Sequence, residues 1–431
     1  MSSQPPPPTP SYILRSHTSS ISSISWSNDD ERLYSGDTSG KVVVTSTRTR
    51  RAISIWNPHT DLVLGIQEWD NFVITQGRDN KLHVWDQVRE MPASTSIGGS
   101  ANLPGLPTPA LRYSMDINAI NFCRFSLLSG TASSSQPAGG KQALLGLPNL
   151  VDSSTVDIWS LPDQARMHAA IGQEIKKSIF SENPGGRNNS GIVMSMHLYR
   201  ASSTSISSQN LRILLAYEDG SVVLREYTQG EKPSIESQGW VELWKSKIHV
   251  ESIMAMAVSP SNEFALTVSA DHIIGYYDLT SDDVPIGGPG VVHRTKHAGN
   301  SSVAIHHDGR ICAVGGWDGK IRLYSTKTFK ALGTLKYHKS SIQCLGLPNI
   351  VQPQPNCSVP QASSKDAGTS NDEDPSLSDD EWSAEDLSER NRWLVAGSKD
   401  NRVSVWLLMD FKKPKPAFKR KDGLLDCIKH T

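Results

Sequence analysis

The feature that most limits how this chain can fold is a short unit that recurs along it. Each copy has small residues, an Asp or Ser, a tight turn with Gly or Asn, and an alternating strand that usually closes on an aromatic residue. The clearest copies, TQGRDNKLHVW, VGGWDGKIRLY and AGSKDNRVSVW, end at Trp85, Tyr324 and Trp406. Weaker copies end at Thr45, Trp159, Arg225 and Tyr277. Asp-Gly and Asp-Asn pairs favour hairpin turns, so seven such units predict a repeat protein of short strands.

A histidine precedes most of the units. The histidines that stand before short apolar strands are His17, His59, His249, His297 and His338. A histidine, two strands and a closing aromatic together resemble the WD40 family, which implies four-stranded blades around a central channel. We therefore predict an all-β fold, a seven-bladed WD40 β-propeller with disordered loop inserts. The third and fourth units lack the histidine, so their boundaries stay open.

The WD40 resemblance also implies a buried tetrad in which a loop His, a strand Ser or Thr, a turn Asp and a strand Trp are hydrogen-bonded. The second unit carries the full set, His59, Thr75, Asp79 and Trp85. The fifth unit has His249, Thr267 and Asp271 with Tyr277 in the Trp place, and the seventh has His338, Asp400 and Trp406 with Ala396 in the hydroxyl place. The first keeps His17 and Ser35 but has Ser39 and Thr45, and the sixth has His297 and Asp318 but Val314 and Tyr324.

Polar inserts explain why the units are unevenly spaced. We expect a disordered N-terminus over 1–10, a propeller over 11–410 and a basic extension over 411–431. Within the propeller, residues 350–390 are acidic and have the composition of a disordered insert. The stretch SYILRSH, before the first unit, is expected to close the ring as the outer strand of the seventh blade, since an open ring would expose sheet edges.

Composition and motifs argue against catalysis. With 43 Lys and Arg against 44 Asp and Glu, no global charge favours direct nucleic-acid or membrane binding. We find no phosphate loop, nucleophile elbow or metal-ligand spacing, so we expect no enzyme, no catalytic residues, no cofactor and no metal. The five cysteines are scattered, which fits a reducing compartment, and no secretion signal or membrane span is expected.

Surface positions at the predicted turns are the candidate partner-binding residues. Trp317 stands directly before the turn Asp318, where the fold does not require an aromatic, and aromatic and Arg side chains dominate binding hot spots. Arg78, Glu218 and Lys399 hold the same place in other units. Trp382, in the acidic insert, is a further candidate anchor. The alternative is that Trp317 packs into the channel wall and that the insert is only a solvated loop.

Longer strings resemble one family more closely. SHTSSISSISWS, LYSGDTSGKVVVTSTRTRR and WLVAGSKDNRVSVW are similar to the ASTRA-associated protein 1 family of fungi, related to G-protein-β-like WD proteins. The resemblance implies a nuclear scaffold, also compatible with the cytoplasm, that joins Rvb-type helicases, Tel/Tti cochaperones and a kinase-like protein in chromatin remodelling and large-kinase maturation.

Two alternatives remain. WDQVR, from Trp85 to Arg89, approaches the signature of cullin-type ubiquitin-ligase substrate receptors, and Trp317 or Arg78 would suit a histone or phosphopeptide reader.

Overall fold

The computed structural model describes residues 8–88, 106–120, 122–130, 142–173, 190–201, 210–230, 232–280, 288–349 and 384–410. These residues form seven antiparallel sheets of four strands each and one short helix. The predicted seven-bladed propeller is therefore confirmed. Most of the segment 1–10 and all of the extension 411–431 lie outside the described residues. The helix among them is too short to cross a membrane.

The described strands begin with β1 (Tyr12–Leu14), which belongs to the last blade. Blade 1 contains β2 (Ile21–Trp26), β3 (Arg32–Asp37), β4 (Val42–Ser46) and β5 (Ala52–Trp56). Blade 2 contains β6 (Val63–Trp69), β7 (Phe72–Gly77), β8 (Lys81–Asp86) and β9 (Leu111–Asp116). Blade 3 contains β10 (Ser126–Ser129), β11 (Ala143–Pro148), β12 (Val156–Leu161) and β13 (Ala165–Ile171).

The second half of the ring repeats the same pattern. Blade 4 contains β14 (Val193–Arg200), β15 (Leu211–Tyr217), β16 (Ser221–Tyr227) and β17 (Trp240–Lys247). Blade 5 contains β18 (Ile253–Val258), β19 (Phe264–Ser269), β20 (Ile273–Asp278) and β21 (Gly290–Arg294). Blade 6 contains β22 (Asn300–Ile305), β23 (Ile311–Gly316), β24 (Lys320–Ser325) and β25 (Ala331–Lys336). Blade 7 contains β26 (Ile342–Gly346), β27 (Trp393–Ser398), β28 (Val403–Leu407) and β1.

The closing residues of the repeated unit all fall on the third strand of a blade. They run from Thr45 on β4 through Trp85 on β8 to Trp406 on β28. The turn before each third strand is the tight one that the sequence marks with Asp, Gly or Asn. Asn80 and Asn401 there have φ of 62° and 65°, the left-handed values that asparagine tolerates. The unit read from the sequence is thus the central hairpin of each blade.

The core is divided among the contacts between blades. The buried apolar side chains form seven clusters in the described residues, and each cluster joins two neighbouring blades. One of them packs Ile21 and Trp26 of blade 1 against Cys344 and Trp393 of blade 7. Because every blade buries both of its faces in this way, no blade has a core of its own, and stability depends on a closed circle.

Strand β1 closes that circle. It pairs antiparallel with β28, with Tyr12 opposite Val405 and Leu14 opposite Val403. The innermost strand β2 of blade 1 contacts β26 of blade 7 on one side and β6 of blade 2 on the other. The guanidinium of Arg50, in blade 1, lies 3.6 Å from the centroid of the Tyr12 ring. The first and last blades are therefore joined by both backbone and side chains.

The end of the acidic insert differs from the disordered segment expected over 350–390. Residues Ala384–Arg390 form a helix, α1, that leads into β27. Arg390 is buried, and its Nη1 donates to the carbonyl oxygen of Asp30 in blade 1 at 2.9 Å. The polar composition of the insert does not indicate this contact, because the partner of the Arg390 guanidinium lies on a loop more than three hundred positions away in sequence. Residues 350–383 lie outside the described part of the chain.

Candidate docking site

One face of the ring carries the tight turns and is here called the turn face. It consists of the turns between second and third strands, at 38–41, 78–80, 149–155, 218–220, 270–272, 317–319 and 399–402, and of the loops that lead into each first strand. Antiparallel strands alternate in direction, so these turns and loops all emerge on the same side of the blades. The four turn residues predicted for partner binding lie on this face.

The same backbone bond fixes all four of these residues. In each case the amide nitrogen donates to the carbonyl of the residue directly before the first strand of its blade. The bonds are Arg78 N to Leu62 O at 2.9 Å, Glu218 N to Ile192 O at 3.0 Å, Trp317 N to Gly299 O at 2.8 Å and Lys399 N to Ser341 O at 3.0 Å. The turns therefore present their side chains from a fixed backbone, which lowers the entropy lost on binding.

Trp317 is half exposed, at 50% of its accessible surface. Its indole lies against Gly299, where a β-carbon would come within 2.9 Å of Trp317 Cε3. Gly299 also has a φ of 79°, so both its conformation and the approaching ring favour glycine there. The glycine supports one part of the indole while half of the side chain faces solvent, as an aromatic anchor for a partner would.

The other turn residues offer different chemistry from equivalent places. Arg78 is exposed, and its guanidinium lies 4.6 Å from the centroid of the Phe122 ring. Glu218 is exposed above Gly191, and its Oε2 accepts from the amide of Ile192 at 3.3 Å. Lys399 is exposed on blade 7. The turn face thus presents four different chemical groups, namely the guanidinium of Arg78 stacked on Phe122, a carboxylate, an indole and an ammonium.

Buried tetrads hold the turn face in place. In blade 2, His59 Nδ1 lies 3.0 Å from Asp79 Oδ1 and His59 Nε2 lies 3.0 Å from Thr75 Oγ1. Trp85 Nε1 donates to the same threonine oxygen at 2.9 Å. In blade 5, His249 contacts Asp271 at 2.9 Å and Thr267 at 2.8 Å, with the Tyr277 hydroxyl 3.5 Å from Thr267. Each chain of bonds links the loop histidine to the turn aspartate that sets the backbone.

Blade 7 completes its tetrad with a residue that the sequence pattern did not indicate. His338 Nδ1 lies 2.9 Å from Asp400 Oδ2, but Ala396 has no hydroxyl to offer. Ser404, directly across the hairpin from Ala396, supplies it instead. Its Oγ lies 2.7 Å from His338 Nε2 and accepts from Trp406 Nε1 at 2.8 Å. A cross-strand position can replace the usual one because the two side chains lie on the same face of the sheet.

Blade 1 also obtains its partner from an unexpected position. His17 Nδ1 lies 2.7 Å from Asp37 Oδ2, and Ser39, which occupies the usual place of the aspartate, donates from its hydroxyl to Asp37 at 2.6 Å. Burial alone would raise the pKa of Asp37, but the hydrogen bonds from His17 and Ser39 outweigh burial and lower it. Asp37 is therefore held as a carboxylate that the histidine and the turn share.

The pairing of His297 with Asp318 in blade 6 was predicted wrongly. His297 is exposed, and Asp318 accepts instead from Arg322, with Nη2 at 2.5 Å from Oδ2. Val314, in the hydroxyl place, offers a histidine no acceptor. In blade 3, which has no loop histidine, Asn149 Nδ2 donates to Asp157 Oδ1 at 2.8 Å. Different polar pairs therefore stabilise the same turn in different blades.

Replacing Ser404 by alanine is expected to lower the free energy of unfolding by about 1–3 kcal/mol, because two buried nitrogen groups would lose their partner. Adding Ala396→Ser to that variant should recover part of the loss, since it restores the hydroxyl at the place that Thr75 holds in blade 2. Urea denaturation of the three proteins measures both effects. Equal stability of the single variant and the parent would show that Ser404 is not a tetrad member.

His59, in the blade 2 tetrad, also predicts an acid-sensitive fold. Burial lowers the pKa of His59 from 6.5 to about 4, and the opposing pull of Asp79 does not offset it. Between these two pKa values, the unfolded chain therefore carries a proton on His59 that the folded chain does not carry. This contribution is complete above pH 6.5 and is lost as the pH falls towards 4. At pH 5, His59 alone should account for about 2 kcal/mol of lost stability relative to pH 7.

Denaturation curves at several pH values measure this slope. His59→Gln should reduce the slope, although it lowers stability at all pH values. Stability that is constant or that increases between pH 7 and pH 5 would contradict the assignment of a neutral, buried His59.

The described residues contain no group of three or more His, Cys, Asp or Glu side chains placed to hold a metal. The tetrad histidines His17, His59, His249 and His338 instead each contact an aspartate of their own blade. Trp85, the first residue of the ubiquitin-ligase-like string, belongs to the blade 2 tetrad, and Arg89 lies outside the described residues. Trp382 lies outside them as well.

Comparison with known proteins agrees with this geometry. The model of the WD domain, G-beta repeat, matches residues 8–46, 291–325 and 382–406. An ASTRA-associated protein 1 from Verticillium alfalfae is 30% identical in an alignment of 424 positions that covers 93% of each chain. One from Penicillium rubens is 28% identical over 93% of this chain and 97% of its own, and one from Schizosaccharomyces pombe is 27% identical over 78% and 93%. The chain belongs to the ASTRA-associated protein 1 family.

Proposed function

We propose that this protein is a non-enzymatic scaffold subunit of an ASTRA-type assembly, and that its turn face docks the other subunits. The observation that carries the proposal is the set of unlike, exposed side chains at equivalent turns, each fixed by the same backbone bond. Relatives that carry the name of ASTRA-associated protein align along nearly the whole chain, which points to the kind of assembly. A closed ring with preorganised loops can bind partners without changing its own shape.

The proposed partners are Rvb-type helicases, Tel/Tti-type cochaperones and a kinase-like protein, and the proposed location is the nucleus. Chromatin remodelling and the maturation of large kinases are the processes that such an assembly would serve. In this role the ring brings partners together and performs no chemistry. The ubiquitin-ligase and peptide-reader alternatives use the same fold but require different partners, so one experiment separates them.

Affinity purification of the full chain, tagged in the cells that produce it naturally, tests the proposal. We expect mass spectrometry to identify the helicase and cochaperone subunits. Trp317→Ala combined with Glu218→Ala should reduce their recovery at least about tenfold, because hot-spot side chains contribute about 2 kcal/mol or more each. The matched control is Lys327→Ala with Lys330→Ala, two exposed residues between β24 and β25 on the opposite face.

Three results would overturn the proposal. Recovery of cullin adaptors without ASTRA-type subunits would favour the substrate receptor. Recovery of histones or phosphoproteins alone would favour the reader. Equal loss of subunits from the two double variants would show that the turn face is not the docking surface.

A further inference from the structure

The innermost strands share an irregularity at the mouth of the channel. In six blades the pairing between first and second strands shifts by one residue, directly after the first residue of the strand. Such a β-bulge redirects the side chain of the extra residue. The bulge residues, here called the bulge ring, are Ser22, Leu64, Met194, Met254, Ser301 and Gln343. All six are uncharged.

In blade 3, Arg124 lies two residues before the first strand, β10. Its Nη2 donates to the carbonyl of Ser22 at 3.0 Å. Ser22 belongs to blade 1, so the guanidinium must pass along the inner edge of blade 2 and thus lies at the channel mouth. Arg124 also lowers the pKa of Cys344 in blade 7, although burial outweighs this effect and raises that pKa to about 12. The Arg124 guanidinium therefore lies beside the uncharged Ser22 of the bulge ring.

The backbone of Arg124 is fixed from both sides by a buried glutamine of blade 2. Gln76 Oε1 accepts from the amide of Phe125 at 2.9 Å, and Gln76 Nε2 donates to the carbonyl of Cys123 at 3.2 Å. Gln76 is completely buried. These bonds hold the residues before and after Arg124 in place, while the Arg124 side chain itself is exposed.

An apolar surface lies next to Arg124 on the turn face. Its members are large side chains with high exposure, namely Ile120 at 73%, Phe122 at 51%, Leu150 at 48% and Val151 at 93%. They come from two loops of blade 3 that Asn118 joins, since its Nδ2 donates to Asn149 O at 2.7 Å and to Ser153 Oγ at 3.0 Å. We name these four residues the blade 3 patch. Exposed apolar clusters of this kind mark interaction sites.

Two arginines border the patch. Arg78 lies over Phe122, and Arg124 follows Phe122 by two residues. Neither arginine forms an ion pair with a carboxylate of the described residues. The carboxylates of the adjacent turns are held within their own turns and loops instead: Asp79 contacts His59 and accepts from Thr60 N, and Asp152 accepts from Ser154.

We propose that the blade 3 patch and Arg124 together bind an acidic, hydrophobic segment of a partner protein. Aliphatic or aromatic side chains of the segment cover the patch, and a neighbouring carboxylate reaches the guanidinium of Arg124 at the channel mouth. Charge complementarity selects this occupant, because a guanidinium binds a carboxylate through two parallel hydrogen bonds. Nucleic acid fits poorly, since two arginines with a net chain charge of -1 neutralise few phosphates. The inference rests on the proposed function only in that a partner supplies the segment.

Selection from a phage-displayed library of random dodecapeptides on the full chain tests the proposal. We expect the selected peptides to combine Asp or Glu with large apolar residues. Synthetic versions should lose at least about tenfold in affinity by fluorescence anisotropy with Arg124→Gln, and similarly with Phe122→Ser. Lys327→Gln and Leu332→Ser remove an exposed cation and an exposed apolar side chain elsewhere, and they should bind like the parent.

Thermal unfolding of each variant first establishes that it folds like the parent. Selection of peptides without acidic residues, or affinities that Arg124→Gln leaves unchanged, would overturn the proposal. If ASTRA-type subunits co-purify but the selected peptides ignore Arg124, only this inference fails. If peptide binding depends on Arg124 but no such subunit co-purifies, the proposed function fails instead.

Discussion

Deleting residues 1–16 is expected to reduce the free energy of unfolding by roughly 4 kcal/mol or more, because it removes β1 and opens the ring. The loss combines ladder hydrogen bonds, at about 0.5–1.5 kcal/mol each, with the partial burial of the apolar side chains of Tyr12, Ile13 and Leu14. Arg50 and Trp393 lose their contacts with the deleted Tyr12, whose ring centroid lies 6.1 Å from that of Trp393. Strand β28 becomes a free edge and should promote association.

Urea denaturation and size-exclusion chromatography measure the two consequences. Deleting only residues 1–7 is the control, since the strand begins at Tyr12, and that shorter deletion should unfold like the parent and remain in the same oligomeric state. If the longer deletion were equally stable and monodisperse, the ring would not depend on β1 for closure.

Replacing Glu68 by alanine is expected to destabilise the protein by about 3–5 kcal/mol, the cost of leaving a buried charge without its partner. The Glu68 side chain is 1% exposed and joins blades 1 and 2. It accepts from Arg32 Nε at 3.1 Å, from the Tyr34 hydroxyl at 2.5 Å and from the amide of Asn28 at 3.0 Å. Arg32 keeps only the more exposed Asp29 as an acidic partner, at 2.7 Å.

A surface ion pair provides the comparison for Glu68. Lys81 Nζ lies 2.5 Å from Asp116 Oδ1, but the two side chains are 47% and 78% exposed. Asp116→Asn should therefore cost less than about 1 kcal/mol. Chemical denaturation measures the free energy of unfolding of both variants. Similar decreases for Glu68→Ala and Asp116→Asn would show that the hydrogen bonds of Glu68 do not stabilise the contact between blades 1 and 2.

The fold could be predicted because its determinants are local. Each hairpin needs a turn with Gly or Asn and an alternating strand, and both lie within about a dozen consecutive residues. The closing residues from Thr45 to Trp406 therefore identified seven third strands correctly. Closure by Tyr12–Leu14 could also be predicted, because a ring with an open edge is unfavourable and this stretch is the apolar segment before the first blade.

The tetrads could be predicted only in part and the blade 3 patch could not be predicted, since both depend on partners from other strands or loops. Ser404 is recognised only once the register opposite Ala396 is known. The contact of Arg390 with Asp30 and the place of Arg124 at the channel mouth depend on how distant blades meet. Phe122 and Val151 look like ordinary strand residues in sequence, and only the loop geometry exposes them.

Lysine reactivity in the purified assembly, compared with that in the isolated chain, is the most direct test of docking on the turn face. Lys296, Lys339 and Lys399 are exposed on that face, whereas Lys327 and Lys330 are exposed on the opposite one. We predict that acetylation of the first three decreases in the assembly while the other two react as before. Protection of Lys327 and Lys330 with full reactivity at Lys296, Lys339 and Lys399 would contradict the account.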